Sequence, residues 1–279
     1  MTDDSTPLQV GLLCDGRHVQ RWVARTLDHM LTHTDAEISV IVVNTFKGQS
    51  ESRSSGKVLS EVLDNGLWTL VVGTRKLANA LGHPPEYIEK HKRDIPLSEV
   101  DGIDQTSVVE TEPVDTDGFG KELPDEVVDM LAEETDVVVR FGFGFLKGRI
   151  LEAPEHGALS FHGGDLREYR GKPPGFWEFM NDKSHGGFVL QRITEKLDGG
   201  QIVTMKTVDL SDARTWQEVK LRLYDASEDM LTDGIRNISD PDFEPADPES
   251  LGNVYSTPSG RVVVSYLLKN SLGRVRGLM

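Results

Sequence analysis

A doubly wound α/β fold with a mostly parallel sheet is predicted by three observations at the start of the chain. An apolar run, LQVGLL (residues 8–13), breaks at Cys14-Asp15-Gly16. The segment that follows places Val19, Trp22, Val23, Leu27, Met30 and Leu31 at helical spacing. A second run, residues 38–43, has the continuous β-branched character of a strand buried on both faces. Strand, glycine turn, helix and strand together open a Rossmann-like βαβ unit.

The remaining elements extend that pattern. Residues 47–56 (KGQSESRSSG) read as a surface loop, 57–63 as the start of a helix and 67–72 as a third strand. Residues 73–125 are acidic and turn-rich and read as an insertion, with one short strand around Val108 and Val109. Pro124 opens a helix over 125–133, and 136–141 is a strand running into Gly142-Phe143-Gly144. A short helix near 146–151 precedes a strand at 158–161. Strands at 187–193 and 201–208 bracket the turn Leu197-Asp198-Gly199-Gly200. Residues 215–235 carry Val219, Leu223, Met230 and Leu231 on one helical face. The segment SDPDFEPADPES (239–250) reads as a linker. Residues 261–279 then hold four basic and no acidic residues and read as a final packed strand and helix. On this reading the core spans 1–238, and 239–279 is a linker with a small C-terminal extension.

Composition narrows the function. Hydrophobic residues make up 37% of the 279, enough for one large core, while 46 acidic residues against 30 basic ones leave a net charge of -16. That balance disfavours a constitutive nucleic-acid binder, which would present a basic face. The acids are dispersed, and arginine outnumbers lysine. This is the composition of a protein kept soluble in high salt, so a halophilic source would explain the acidity without reference to any partner. A single cysteine, Cys14, leaves no internal disulfide and fits a reducing cytoplasm. The start MTDDSTPLQV lacks the positive and apolar regions of a signal peptide, and no run of 18 apolar residues predicts a membrane span.

Several familiar chemistries lack their residues. Gly11 and Gly16 do not give the G-x-G-x-x-G spacing of a dinucleotide site, and Asn44 stands where the second strand should end in an acid. The Gly16 turn retains the alternative of holding an anion at the helix N-terminus. No G-x-S-x-G elbow occurs. His29 and His33 are four apart on a helix without a glutamate base between them, so no metal is predicted. Cys14, at a strand end with no base partner in sequence, reads as a small core residue. What stands out is the stretch 158–203. There a strand delivers Ser160 and His162 to a Gly163-Gly164 turn, and Asp198 sits before Gly199-Gly200 in a similar turn 36 residues later. A histidine and a carboxylate on two strand-end turns are suited to proton transfer.

The motifs of this stretch resemble the 10-formyltetrahydrofolate-dependent formyltransferases, which include methionyl-tRNA, glycinamide ribonucleotide and amino-sugar formyltransferases. That family carries Asn-x-His, a turn, Tyr-Arg-Gly, and then Leu-Asp-x-Gly. Here Ser160-Phe161-His162, Tyr169-Arg170-Gly171 and Leu197-Asp198-Gly199-Gly200 stand in those places, with Trp177 and residues 186–191 matching a family tryptophan and strand. DVVVRFGFGFLKGRIL (136–151) is similar to the family's strand and Gly-aromatic loop. The likeness is good over 124–205 and looser over 8–72.

The resemblance implies a Rossmann-like catalytic domain that moves a formyl group from 10-formyltetrahydrofolate to a primary amine, without a metal. His162 would hydrogen-bond the formyl oxygen and move protons, and Asp198 would set its ionisation. The backbone of Arg140, Phe141, Gly142 and Phe143, with Lys196 and Leu197, would hold the pterin. Tyr169, Arg170 and Gly171 would shape the approach of the acceptor. Ser160 departs from the family asparagine and is a shorter donor. A small or sugar-linked amine is the expected acceptor. Initiator tRNA is the alternative, since only the 41 residues of 239–279, linker included, are left to serve as a basic module. A formyltetrahydrofolate hydrolase and an inactive folate- or nucleotide-binding homologue are the further alternatives.

Overall fold

A computed structural model describes residues 6–46, 55–82, 84–103 and 105–277. Its centre is a seven-stranded sheet built from β1 (Gln9–Cys14), β2 (Glu37–Asn44), β3 (Ser107–Thr111), β4 (Val137–Arg140), β5 (Ala158–His162), β6 (His185–Arg192) and β7 (Gln201–Asp209), in the order β7-β6-β5-β4-β1-β2-β3. The five strands from β3 to β5 run parallel, and β6 and β7 add antiparallel at one edge. The predicted mostly parallel α/β sheet is therefore observed. The order reverses between β1 and β4, and in an open α/β sheet the crevice beyond the strand carboxyl ends at such a point is where ligands bind. β1 and β4 are clothed in Val10, Leu12, Leu13, Val137, Val138 and Val139, all fully buried, as a strand covered on both faces requires.

The helices are α1 (Arg21–His33), α2 (Ser55–Ala80), α3 (Asp125–Glu134), α4 (Phe176–Met180), α5 (Trp216–Asp225), α6 (Met230–Ile238) and α7 (Gly260–Gly277). α1 buries Val23, Leu27 and Met30 in the larger core, and α3 buries Val127, Val128 and Leu131 in a second cluster with Leu13, Val40 and Val42. Thr215 caps α5, its Oγ1 accepting from the Glu218 N–H at 3.2 Å.

Five readings of the sequence change. Residues 67–72 are helical, inside α2, rather than a third strand. Trp68 and Val71 are buried while Leu67 and Leu70 are exposed, a spacing of three that a strand cannot give. A short apolar run does not by itself separate the two periods. Val19 belongs to a short strand, His18–Gln20, paired with Asp94–Pro96, and this strand separates the Gly16 turn from the N-terminus of α1. The single helix over 215–235 is two helices, α5 and α6, and the short helix at 146–151 is one 3-10 turn, Arg149–Leu151. The segment after the acidic linker forms one helix, α7, preceded by a strand, Asn253–Tyr255, that pairs with Tyr169–Gly171. The surface loop read at 47–56 lies mostly outside the described residues.

α7 is fastened by aromatic packing. Tyr266 is 1% exposed and meets Trp68, Phe176, Phe179 and Trp216 at ring-centroid distances of 5.3–6.3 Å, edge-on or tilted. Deleting such a ring should destabilise the whole domain. Tyr266→Ala is expected to cost about 3–5 kcal/mol, read as a lowered urea midpoint. A midpoint unchanged from the parent would mean that α7 does not help to hold the core.

Candidate active site

The parallel register places Arg140 on β4 beside Ser160 on β5, and the antiparallel register places Gln191 and Val189 on β6 beside Ser160 and His162. Ser160 and His162, two residues apart, share a face of β5. The Tyr169–Gly171 strand and the β6–β7 turn then close over the histidine. His162 Nε2 lies 3.1 Å from the Tyr169 carbonyl oxygen, and Nδ1 lies 3.4 Å from Asp198 Oδ1. The Gly171 N–H donates to Asp198 Oδ2 at 2.8 Å. Asp198 itself has φ 42, in the left-handed region. A non-glycine residue there costs on the order of 1–3 kcal/mol, so its surroundings must hold it in that turn.

These contacts fix the charges. Burial alone would lower the His162 pKa, but the hydrogen bond and charge of Asp198, with the Tyr169 carbonyl, outweigh it and raise the ring above its usual value. Burial pushes the Asp198 carboxyl up, while His162, the Gly171 N–H and Arg140 outweigh that and hold it below the usual carboxylate range. Each partner favours the charged form of the other.

Two hollows meet at this pair. One, of about 360 Å³, is lined by Asp15, Arg140, Phe141, Gly142, Ser160, His162 and Gly171 among others, and its apolar side is formed by Trp22, Phe161, Phe188 and Tyr224. The other, of about 160 Å³, is lined by Lys196, Leu197, Asp198, Gln191 and Ile193. Arg140 and Gly144 line both. The mouth depends on a close crossing of the β1 and β4 loops. The Phe143 N–H donates to Asp15 Oδ1 at 2.6 Å, and a Cβ on Gly142 would lie 2.4 Å from the Asp15 nitrogen, so only glycine fits. A larger hollow of about 610 Å³, lined by Thr6, His33, His156 and Ser239, opens at the opposite ends of the strands and holds none of the predicted residues.

Of the residues singled out in the sequence, Ser160, His162, Asp198, Arg140, Phe141, Gly142, Lys196, Leu197 and Gly171 come together around these hollows. Three are placed differently. The Phe143 side chain is buried in the second core cluster, and its amide is engaged by Asp15. The Tyr169 ring turns away to pack on Tyr255 at 5.3 Å, with its hydroxyl accepting from Asn181, so only its carbonyl meets His162. Arg170 braces the turn from outside, donating to the Leu197 and Gly252 carbonyls. Cys14 is buried, and burial pushes its thiol up to about 12, consistent with a core residue and not a nucleophile.

A family profile described as Formyl transferase matches residues 90–235, more than half of the 279. The chain belongs to the formyl transferase family. The matched span runs from the segment before β3 into α6 and contains every residue around the two hollows except those of the β1 loop and α1. Among curated proteins, methionyl-tRNA formyltransferase of Listeria monocytogenes is 28% identical over 134 residues, 45% of this chain and 41% of that protein. The protein of the same name from Bacillus thuringiensis is 31% identical over 122 residues, 43% of this chain and 39% of that one. These matches thus span about two fifths of the relatives' length. Among solved structures, a sugar N-formyltransferase from Shewanella superposes with a TM-score of 0.54 at 12% identity, covering 94% of this chain and 87% of that one. An N-formyltransferase from Helicobacter canadensis, in complex with folinic acid and dTDP-3-aminofucose, gives 0.52 at 12% identity, covering 89% and 71%. At such identity the shared property is the fold. Among the described residues no group of three His, Cys, Asp or Glu could hold a metal ion, and no helix is long and apolar enough to cross a membrane.

One buried acid escaped the sequence reading. Glu178, on the short helix α4, is 2% exposed, and its Oε1 has no hydrogen-bond partner. A Cβ placed on Gly164 would lie 3.0 Å from His162 Nε2 and 3.5 Å from Glu178 Oε1, so the carboxyl stands on the side of the ring opposite Asp198. Burial pushes it from 4.5 up to about 7. Its own N–H and His162 pull it down, and Glu168 and Asp165 push it up. The sequence signal was faint, an acid within FWEFM beside the family-like tryptophan.

The raised acid predicts a pH-dependent stability difference. Below about pH 4.5 Glu178 is protonated whether the chain is folded or unfolded. Between there and pH 7 the unfolded chain ionises first, so the acid becomes a growing liability, on the order of 3 kcal/mol at full extent. Glu178→Gln should therefore gain in Tm relative to the parent as pH rises from 4.5 to 7, and hold that gain above 7. A Tm difference that stays flat across this window would show that Glu178 titrates normally.

Proposed function

We propose that this chain transfers a formyl group from 10-formyltetrahydrofolate to a primary amine. The observation that carries the reading is the His162–Asp198 pair at the junction of two hollows, in a chain of the formyl transferase family. The smaller hollow, between Arg140 and the Lys196-Leu197-Asp198 turn, suits the ring end of the folate. The larger one, with its aromatic side, suits the acceptor. The folinic acid bound by the Helicobacter canadensis relative supports a folate donor.

In this reading the amine nitrogen attacks the formyl carbon and the carbonyl electrons move to oxygen. The tetrahedral species then expels the folate nitrogen. One proton leaves the amine and one must reach the departing nitrogen, and an imidazolium held charged by Asp198 is the acid for that delivery. The amine's proton then recharges the pair. Positioned proton transfer contributes about 10²–10⁴ in rate.

For the acceptor, the curated sequence relatives favour the amino group of methionine esterified to initiator tRNA. The aromatic side of the larger hollow supports it, since thioethers pack well on rings. A second reading, a small or sugar-linked amine, is favoured by the net charge of -16, which repels a phosphate backbone. Turnover of 10-formyltetrahydrofolate should be measured at low and high salt with methionyl-tRNA, a dTDP-amino sugar, glycinamide ribonucleotide and no amine. Methionyl-tRNA is expected to give the fastest release of tetrahydrofolate. Release without any amine would indicate a hydrolase, and none under any condition would end the transferase reading.

Two variants test the pair. His162→Ala should lower kcat by about 10²–10⁴. In Asp198→Asn the largest opposition to burial is removed and only the Tyr169 carbonyl and Glu178 remain against it, so the ring loses its proton at lower pH and the alkaline limb of the kcat profile should move down. A limb in the same place would show that Asp198 does not set the ionisation of His162.

A further inference from the structure

The negative charge of the tetrahedral intermediate falls on the former formyl oxygen, and fixed N–H or O–H donors aimed at that oxygen are the principal means of stabilising it. His162 is already engaged: in the free protein its Nε2 faces the Tyr169 carbonyl and its Nδ1 faces Asp198, and its proton goes to the departing nitrogen. A further donor must stand nearby on another group.

One arrangement meets that need. Arg140, the register neighbour of Ser160, donates from Nη2 to Ser160 Oγ at 2.8 Å. A guanidinium has no acceptor atom, so this bond uses a serine lone pair and leaves the serine's own hydrogen to be given elsewhere. The Gln191 side-chain oxygen, on the other neighbouring strand, accepts from the Gly200 N–H at 3.0 Å. Ser160 is 2% exposed yet lines the larger hollow. Arg140 lines both hollows, its Nη1 anchored to the Gly144 carbonyl and its buried Nε without a partner.

We infer that Arg140 and Ser160 act as one paired donor to the formyl oxygen, Ser160 giving its O–H and Arg140 orienting and polarising that hydroxyl from behind. No bond to either residue forms or breaks and no proton leaves the pair. The hydrogen bond strengthens as charge develops on the oxygen. This rests on the formyl-transfer reading and explains how a serine, with its short reach, serves where an amide would otherwise be needed.

The test is a double-mutant cycle with the acceptor that gives the fastest turnover, alongside calorimetric binding of folinic acid. Arg140→Ala and Ser160→Ala should each lower kcat by about 10²–10³, and in Ser160→Ala folinic acid affinity should stay within about threefold of the parent, since a donor acting only on the developing charge is silent in the ground state. The double variant should be no worse than about threefold below the weaker single. Ser160→Asn placed in the Arg140→Ala background should restore kcat at least tenfold, because the amide supplies an N–H without a cation behind it. Should Arg140→Ala fail to fold by its melting curve, Arg140→Lys keeps the charge without the planar fork and should lose at least tenfold in kcat. Losses that multiply in the double variant, or an arginine variant within threefold of the parent, overturn the inference. A parent that binds no folinic acid and turns over no formyl donor overturns instead the reading beneath it.

Discussion

The structure depends on a buried histidine being kept charged by a neighbouring carboxylate. His162 is 8% exposed and would shed its proton if burial acted alone, and the Asp198 carboxylate 3.4 Å away reverses that balance. An opposite charge within about 4–6 Å is the ordinary means of doing so, and a low local dielectric strengthens it. Bringing the two together requires that β5 end in the sheet crevice and that the β6–β7 turn fold back over it with Asp198 in a left-handed conformation. It also requires Gly171 to give its N–H to the second carboxylate oxygen. The C-terminal segment contributes at one remove, because the Asn253–Tyr255 strand pairs with Tyr169–Gly171 and holds the carbonyl and the amide that face the pair.

Around that ion pair the chain sorts its polar and apolar surfaces. Arg140 separates the two hollows and touches both. Aromatic rings from α1, β5, β6 and α5 close the larger one, with Trp22 meeting Phe161 edge-on at 5.2 Å. Behind them Lys92 is brought down to about 8 by burial while donating to the Tyr224 hydroxyl and to Gln20. A dry aromatic wall beside a charged pair gives an amine an apolar resting place next to the group that handles its proton.

Much of this was legible in the sequence, for identifiable reasons. The opening strand and helix, the strand at 158–161 and the Asp198 turn follow from apolar runs punctuated by glycine, which report on local structure. Ser160, His162 and Arg140 then align because neighbouring strands fix their register. What the sequence hid was set by tertiary packing. Trp68 and Val71 pass for strand residues until Leu67 and Leu70 are seen to face solvent. Glu178 passes for a surface acid until α4 carries it under the site. The side chain of Arg140 matters only because Ser160 lies beside it on the next strand. Tyr169, prominent in its motif, contributes a backbone carbonyl, and no side-chain pattern announces that.

The central claim, a buried imidazolium maintained by Asp198, can be measured without substrate. Nitrogen-15 NMR of the His162 ring in the parent protein reads both nitrogens directly. The account predicts a titration midpoint above the usual histidine value of 6.5, with both ring nitrogens protonated below it. A neutral tautomer at pH 7 with a midpoint below 6.5 would contradict it, because burial would then have prevailed over the carboxylate.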